Sequence, residues 1–464
     1  MRARYLALAL GVLAVGACKD ATMPDQNNPS VNDFSTITDR SQVQALATGV
    51  IRGDRGQNET EIVFGETIGR DLYRITGSEP RWITELLGEK VQNSDFLGTA
   101  MWGAPYSTIR LANIGISGVS SADAGVLSDQ EKAATIGFIQ TVKGLLYLRI
   151  AEVRDTAGAA INVDVDPAAP PVPLSCKGDV LAYVVSLLDS AATNLANGGA
   201  SFPFQLPSGF AGFDDPASFL KFNRGLAAKA NVELAFRNFA ADGSVDAGAI
   251  AAAQTALNAS FMDMSAGADL NAGPMHTYST NSGDATNGLF DPTIRANPRV
   301  RAEADSGDAR VARYTADSST VTVSGVTSDV AFTLYKTPTD PVSILTNKEL
   351  IALQGEVYFG QNDLPNMITV INFLRTNDGG LTAVAPASLS AALNRLLYEK
   401  RYSLLEQSGA RWIDARMFGK LNGSEPPVGV GQERDFDPIY SFPIPSDEAN
   451  ARGGHLEKAS CSVN

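Results

Sequence analysis

Histidine and cysteine are nearly missing from this chain, which has two of the first and three of the second in 464 residues. His276 and His455 both stand in Gly/Pro-rich surroundings, so a Ser–His–Asp arrangement has little to draw on. No C-x-x-C or H-E-x-x-H spacing offers a metal site, and neither a P-loop nor a dinucleotide fingerprint occurs. No cofactor is expected. Basic residues are short as well, with 37 Lys and Arg against 51 Asp and Glu, a net charge of −14 and a pI near 4.7. Such a chain is a poor partner for nucleic acid or anionic lipid surfaces. Two weaker chemistries survive inspection. Asn281, Asp284 and Asn287 in a Gly/Ser-rich loop could ligate calcium. Asp214–Asp215 or Glu59/Glu61 could supply a glycosidase with paired carboxylates, although so many acids make chance pairs inevitable. Neither is expected to be a site, and the chain is expected not to be an enzyme.

Long apolar runs are confined to the N-terminus. Arg2 and Arg4 precede an unbroken stretch from Leu6 to Ala17, a secretory signal too short to span a bilayer. It ends Val15-Gly16-Ala17-Cys18, which resembles a bacterial lipobox whose cysteine becomes the acylated first residue. Losing Arg2 and Arg4 would take the charge from −14 to −16. Three parts follow: a signal peptide over 1–17, a lipidated N-terminus and flexible polar tether over 18–40, and a single body over 41–464. An exported chain allows Cys176 and Cys461 to pair, the alternative being two free thiols.

The chain as a whole is 44% hydrophobic and 19% charged, enough to bury a large core. Val43, Leu46, Ala47, Val50 and Ile51 fall on one helical face, and Val180, Val184, Leu187, Leu188, Ala191 and Leu195 repeat the stripe. Further helices are predicted near 99–117, 129–155, 217–240, 246–258, 346–360, 364–375 and 389–407. Several come in neighbouring pairs, which suggests a stacked-hairpin array without a clean 34-residue period. Long irregular stretches separate them at 54–98, 156–178, 199–216 and 262–345. The last of these holds a predicted β-hairpin over Thr320–Tyr335.

Near the C-terminus, Leu393 to Arg416 carries Glu399, Arg401 and Gly409, then Arg411-Trp412-x-Asp414-x-Arg416, followed by Pro443-Ile444-Pro445. This resembles the closing helix and turn of the SusD/RagB family of nutrient-binding surface lipoproteins. Trp102-x-x-x-Tyr106-x-x-Ile109-x-x-Ala112-Asn113, Lys143-Gly144 with Tyr147 and Arg149, and Asn297-Pro298-Arg299 are similar to further family elements, in order. The helix exit departs from the pattern, reading Glu406-Gln407-Ser408-Gly409 where a Glu-Gly pair is usual, and Ser403 stands where an acid is common. The resemblance implies a mainly all-α fold, a tetratricopeptide-like helical-repeat scaffold with long irregular loops and a small β-hairpin. It also implies a lid at the outer membrane that serves a SusC-like TonB-dependent transporter, held there by its N-terminal lipid. Its ligand would be an oligosaccharide, or a peptide in RagB-type members; a surface glycoside hydrolase is the reading from another class. The motif residues themselves are expected to be framework.

Ligand contacts are expected in the irregular segments. Arg70, Asp71 and Tyr73, followed by Arg81 and Trp82, form the richest group, because aromatic faces stack on sugar rings and charged side chains hydrogen-bond hydroxyls. Tyr278, Phe290 and Tyr314 are weaker candidates.

Overall fold

The computed structural model describes residues 31–88, 90–166, 168–423 and 428–454. The signal segment, Cys18, most of the expected tether, His455 and Cys461 lie outside the described residues. Ten longer helices build the body: α1 (Arg40–Ile68), α2 (Gly103–Ser121), α3 (Asp129–Arg154), α4 (Lys177–Ala196), α5 (Pro216–Ala235), α6 (Ala247–Asn258), α7 (Asn347–Gly360), α8 (Leu364–Asn377), α9 (Leu389–Ser403) and α10 (Ala410–Met417). The fold is mainly α-helical, as the stripes and the resemblance imply.

Helices pack as four successive pairs: α1 on α2, α3 on α4, α5 on α6 and α7 on α8. Each pair also touches the next, through α2–α3, α4–α5 and α6–α7, so one continuous core runs from Val43 and Leu46 to Ile371 and Leu396. Glycine lets neighbours approach closely. A Cβ at Gly144 of α3 would lie 2.8 Å from the Leu188 side chain of α4. Starts are locally encoded. Asp39, Ser128 and Asp215 each form a capping box with the residue three positions on, which satisfies N–H groups that the first turn leaves open.

Two boundaries differ from the sequence expectation. The body begins before residue 41, since Phe34 and Ile37 are both buried in the main core. Helix α1 also continues through Ile68, into a stretch expected to be irregular. Asp54, Asn58 and Glu61 interrupt its apolar stripe yet are buried, because all three bind the Arg149 guanidinium of α3.

The irregular side of the body is held by a small antiparallel sheet. Its strands are β1 (Leu72–Arg74), β2 (Ile294–Ala296), β3 (Thr315–Val323) and β4 (Val326–Phe332), in the order β1-β2-β4-β3. The expected hairpin is β3–β4. It turns at Ser324-Gly325, both at positive φ (51° and 83°), as a two-residue hairpin loop requires.

Candidate functional site

The segment from Arg70 to Trp82 is split by the structure into an inner and an outer half. Its inner half is framework. Arg70 and Asp71 are 0% and 2% exposed, and Tyr73 is 4%. Asp71 lies between two guanidiniums of the C-terminal motif, 2.6 Å from Arg401 and in contact with Arg411. Arg70 adopts φ +63° and sits 3.6 Å from Glu433, which also receives the Tyr73 hydroxyl. Burial and the adjacent Glu433 drive the Tyr73 phenol far above its ordinary pKa. The expectation that Arg70, Asp71 and Tyr73 face a ligand is therefore corrected: all three join the irregular side to the helical scaffold.

Arg81 and Trp82 remain at the surface, with neighbours the sequence did not bring forward. Trp82 lies in a short helical turn, Arg81–Thr84, whose inner side buries Ile83. The Arg74 guanidinium lies 4.5 Å over the Trp82 ring. The Phe96 and Trp82 ring centroids lie 5.3 Å apart with the rings at 62°, and the Arg81 guanidinium covers Phe96 at 4.7 Å. Trp82 is anchored from within by Phe64, 6.1 Å away. Arginine, tryptophan, phenylalanine and arginine thus alternate along one ladder, and Phe96 is 39% exposed.

Carboxylates fix every guanidinium of this ladder. Arg74 pairs with Asp291 at 2.9 Å, and Arg81 with Glu79 at 2.6 Å and Asp95 at 3.4 Å. Beneath them Glu85 accepts the Gln92 N–H at 3.0 Å. Burial, reinforced by Asp95, pushes the Glu85 carboxyl up to about 7. Phe96 points outward because Asp95 caps the short helix Phe96–Thr99, whose buried side is Leu97 and Gly98. That aspartate cap was the signal in the sequence for an exposed ring here. Phe290, 43% exposed, directly precedes Asp291 and belongs to the same side.

The remaining candidates are engaged elsewhere. Tyr278 is buried beneath Arg55, and Tyr314 is buried with its hydroxyl 3.2 Å from the Lys348 ammonium. Asp284 pairs with Arg55 and Arg52, while the Asn287 amide donates to the Asp340 carbonyl. Asp284 and Asn287 are thus committed to protein partners, and no group of three His, Cys, Asp or Glu that could hold a metal occurs among the described residues. Asp215 caps α5, Glu61 is locked on Arg149, and Glu59 accepts the Gly288 N–H at 3.1 Å. His276 is 2% exposed and bonds Asp54 at 2.8 Å. Cys176 is disulfide-bonded; its expected partner Cys461 lies outside the described residues.

The motif residues form a buried charge network. Glu399 binds Arg310 and Arg375, Arg401 binds Asp71 and Glu303, and Lys400 bridges Glu356 and Asp414. Trp412 is 1% exposed and donates from Nε1 to the Ile439 carbonyl at 2.8 Å. Glu399, Arg401 and Arg411 do not pair with one another: Glu399 reaches Arg310 and Arg375, while Arg401 and Arg411 share Asp71.

No protein-family model and no curated protein sequence matches this chain. Solved structures do. A SusD-superfamily protein from Bacteroides thetaiotaomicron superposes with a TM-score of 0.68 at 14% identity, covering 90% of this chain and 99% of that one. A SusD-like carbohydrate-binding protein from Bacteroides fragilis gives 0.62 at 13% identity, again over 90% and 99%. A third, solved with a xylogluco-oligosaccharide, gives 0.61 at 14% identity over 88% and 96%. The likeness runs over nearly the full length of each chain, and this chain has the fold of the SusD-superfamily proteins.

Proposed function

We propose that this chain is a lipid-anchored, non-enzymatic glycan-binding protein of the outer membrane, and that it passes an oligosaccharide to a SusC-like TonB-dependent transporter. The observation that carries the reading is the outer ladder of Arg74, Trp82, Phe96 and Arg81, bordered by Asp291, Glu79 and Asp95. A sugar presents apolar C–H faces and a rim of hydroxyls. Exposed Phe96 and the Trp82 edge meet the faces, and the paired guanidinium and carboxylate groups donate to and accept from the rim. Nothing in this ladder is a nucleophile poised beside a base, so the chemistry it supports is non-covalent. A SusD-like carbohydrate-binding protein and a further structure solved with a xylogluco-oligosaccharide share the fold and lend support.

No helix among the described residues is long and apolar enough to cross a membrane. Attachment in this reading is through acylated Cys18, and the bridge at Cys176 closes on Cys461. Calorimetry against neutral oligosaccharides and oligopeptides tests the ligand class. Saturable binding of a glycan supports the proposal; binding of peptides alone would replace it with the RagB-type reading. Release of reducing ends from the bound glycan would make the protein a hydrolase instead.

A further inference from the structure

Away from the ladder, residues 439–444 run without regular structure along the C-terminal motif and turn their polar backbone inward. The Ile439 carbonyl accepts from Trp412 at 2.8 Å and the Tyr440 carbonyl from Arg416 at 2.9 Å. The Phe442 N–H donates to the Val153 carbonyl at 3.0 Å, and the Pro443 carbonyl accepts from Arg154. Proline has no N–H to offer. The outer side of the segment is walled by Val91, Ile439, Phe442, Pro443 and Ile444. These walls enclose a groove of about 460 Å³, a size typical of small-molecule sites, which span about 300–1,000 Å³. Tyr440, next in the segment, is the most exposed large hydrophobic among the described residues at 48%.

Polar features of the groove are few. Lys90 and Ser441 belong to its lining. Lys90 is exposed and makes no ion pair among the described residues, whereas Arg74 and Arg81 of the ladder are both paired. A cation with no ion pair among the described residues, beside an apolar trough, does not suit a sugar, whose hydroxyls would find too few partners and would be desolvated at a loss. It suits a molecule with one anionic end and an apolar body.

We propose that this groove is a second ligand site, for a monocarboxylate amphiphile such as a long-chain fatty acid, with its carboxylate at Lys90 and its chain along Val91, Ile439 and Pro443. The site is independent of the glycan reading and uses none of the ladder residues.

Titration of the exported protein carrying Cys18→Ser, which removes any acyl chain of its own, with the fluorescent fatty acid cis-parinaric acid tests the assignment. Saturable binding at one molecule per chain is expected, with displacement by oleate and not by an oligosaccharide. Lys90→Glu weakens oleate roughly fivefold, the scale of one exposed charge pair, and leaves the matching fatty alcohol unchanged. Ser441→Trp fills the trough and abolishes probe binding while the circular-dichroism melt is retained. Absence of saturable binding overturns the proposal, as does binding that survives Ser441→Trp in a folded protein. Should Ser441→Trp instead abolish co-purification with a barrel transporter while no fatty acid binds, the groove is a protein interface and the proposal also fails.

Discussion

Asp71 shows how a single side chain mixes the two meanings a charged loop residue can have. In the sequence it lies between Arg70 and Tyr73, in a group that looks like a ligand platform. In the structure it is the anion between Arg401 and Arg411, more than three hundred positions away. No local pattern reveals such a partner, whereas Phe96 was within reach, because an aspartate cap fixes the side on which the next residue stands. Asp71→Asn leaves two buried guanidiniums without their shared carboxylate. Breaking a buried pair in this way costs about 3–5 kcal/mol. The urea midpoint should therefore fall markedly; an unchanged midpoint would show that the arginines are held by Glu303 alone. Tyr73→Phe loses the contact to Glu433 but leaves the outer ladder in place, so affinity for a bound glycan should stay within about twofold, measured by calorimetry.

The elements were legible wherever their stripes were apolar, and α3 to α9 lie close to the predicted ranges. Helix α1 was read short for a physical reason: Asp54, Asn58 and Glu61 face inward to Arg149, so burial there no longer tracks hydrophobicity. The small strand β1 was missed because three residues carry no period. Close approach of elements is set by small residues that a stripe cannot show. A Cβ on Gly65 of α1 would stand 2.3 Å from the Gly409 Cα, at the very exit where the chain departs from the family pattern. Backbone cannot yield there as a flexible side chain would. Gly65→Ala should push α10 from α1 and destabilise by about 1–3 kcal/mol, read from the denaturant midpoint at constant slope. A neutral result would mean the two helices separate freely.

At the scale of the molecule, the core holds several carboxyl groups whose pKa burial raises. Burial and the neighbouring Glu152 push Glu61 up to about 8, and burial raises Glu152 and Glu233 as well. Burial also raises Glu66 and Glu406, where α1 meets the exit of α9. Unfolded glutamates ionise near pH 4.3, so between that pH and about 8 the folded chain binds more protons than the unfolded one. Stability therefore falls as pH rises through this window. Asp54 works in the opposite sense: burial alone would raise it, but Arg149 and His276 hold it at about 2, so its contribution is lost only in strong acid. The melting temperature should be higher at pH 5.5 than at pH 8.5, and Glu61→Gln should flatten that slope. A melting temperature that rises from pH 5.5 to 8.5 would contradict the protonated core.

The same scale holds the functional claim. A helical scaffold turns one side of sheet and loops outward, and the ladder of Arg74, Trp82, Phe96 and Arg81 stands on that side as the proposed sugar-binding surface. Fold and scaffold could be read from stripes and from the C-terminal motif. The ladder was legible only in its Arg81-Trp82 part, because Arg74 and Phe96 come from separate stretches that only the folded chain brings to that pair. Calorimetry of one bound neutral oligosaccharide against the native protein, Phe96→Ala and Trp82→Ala tests it most directly. The account predicts saturable binding weakened at least tenfold by each substitution, at about 1.4 kcal/mol per factor of ten, with the fold retained in Phe96→Ala. Undiminished affinity in both variants would place the glycan elsewhere and contradict the central claim.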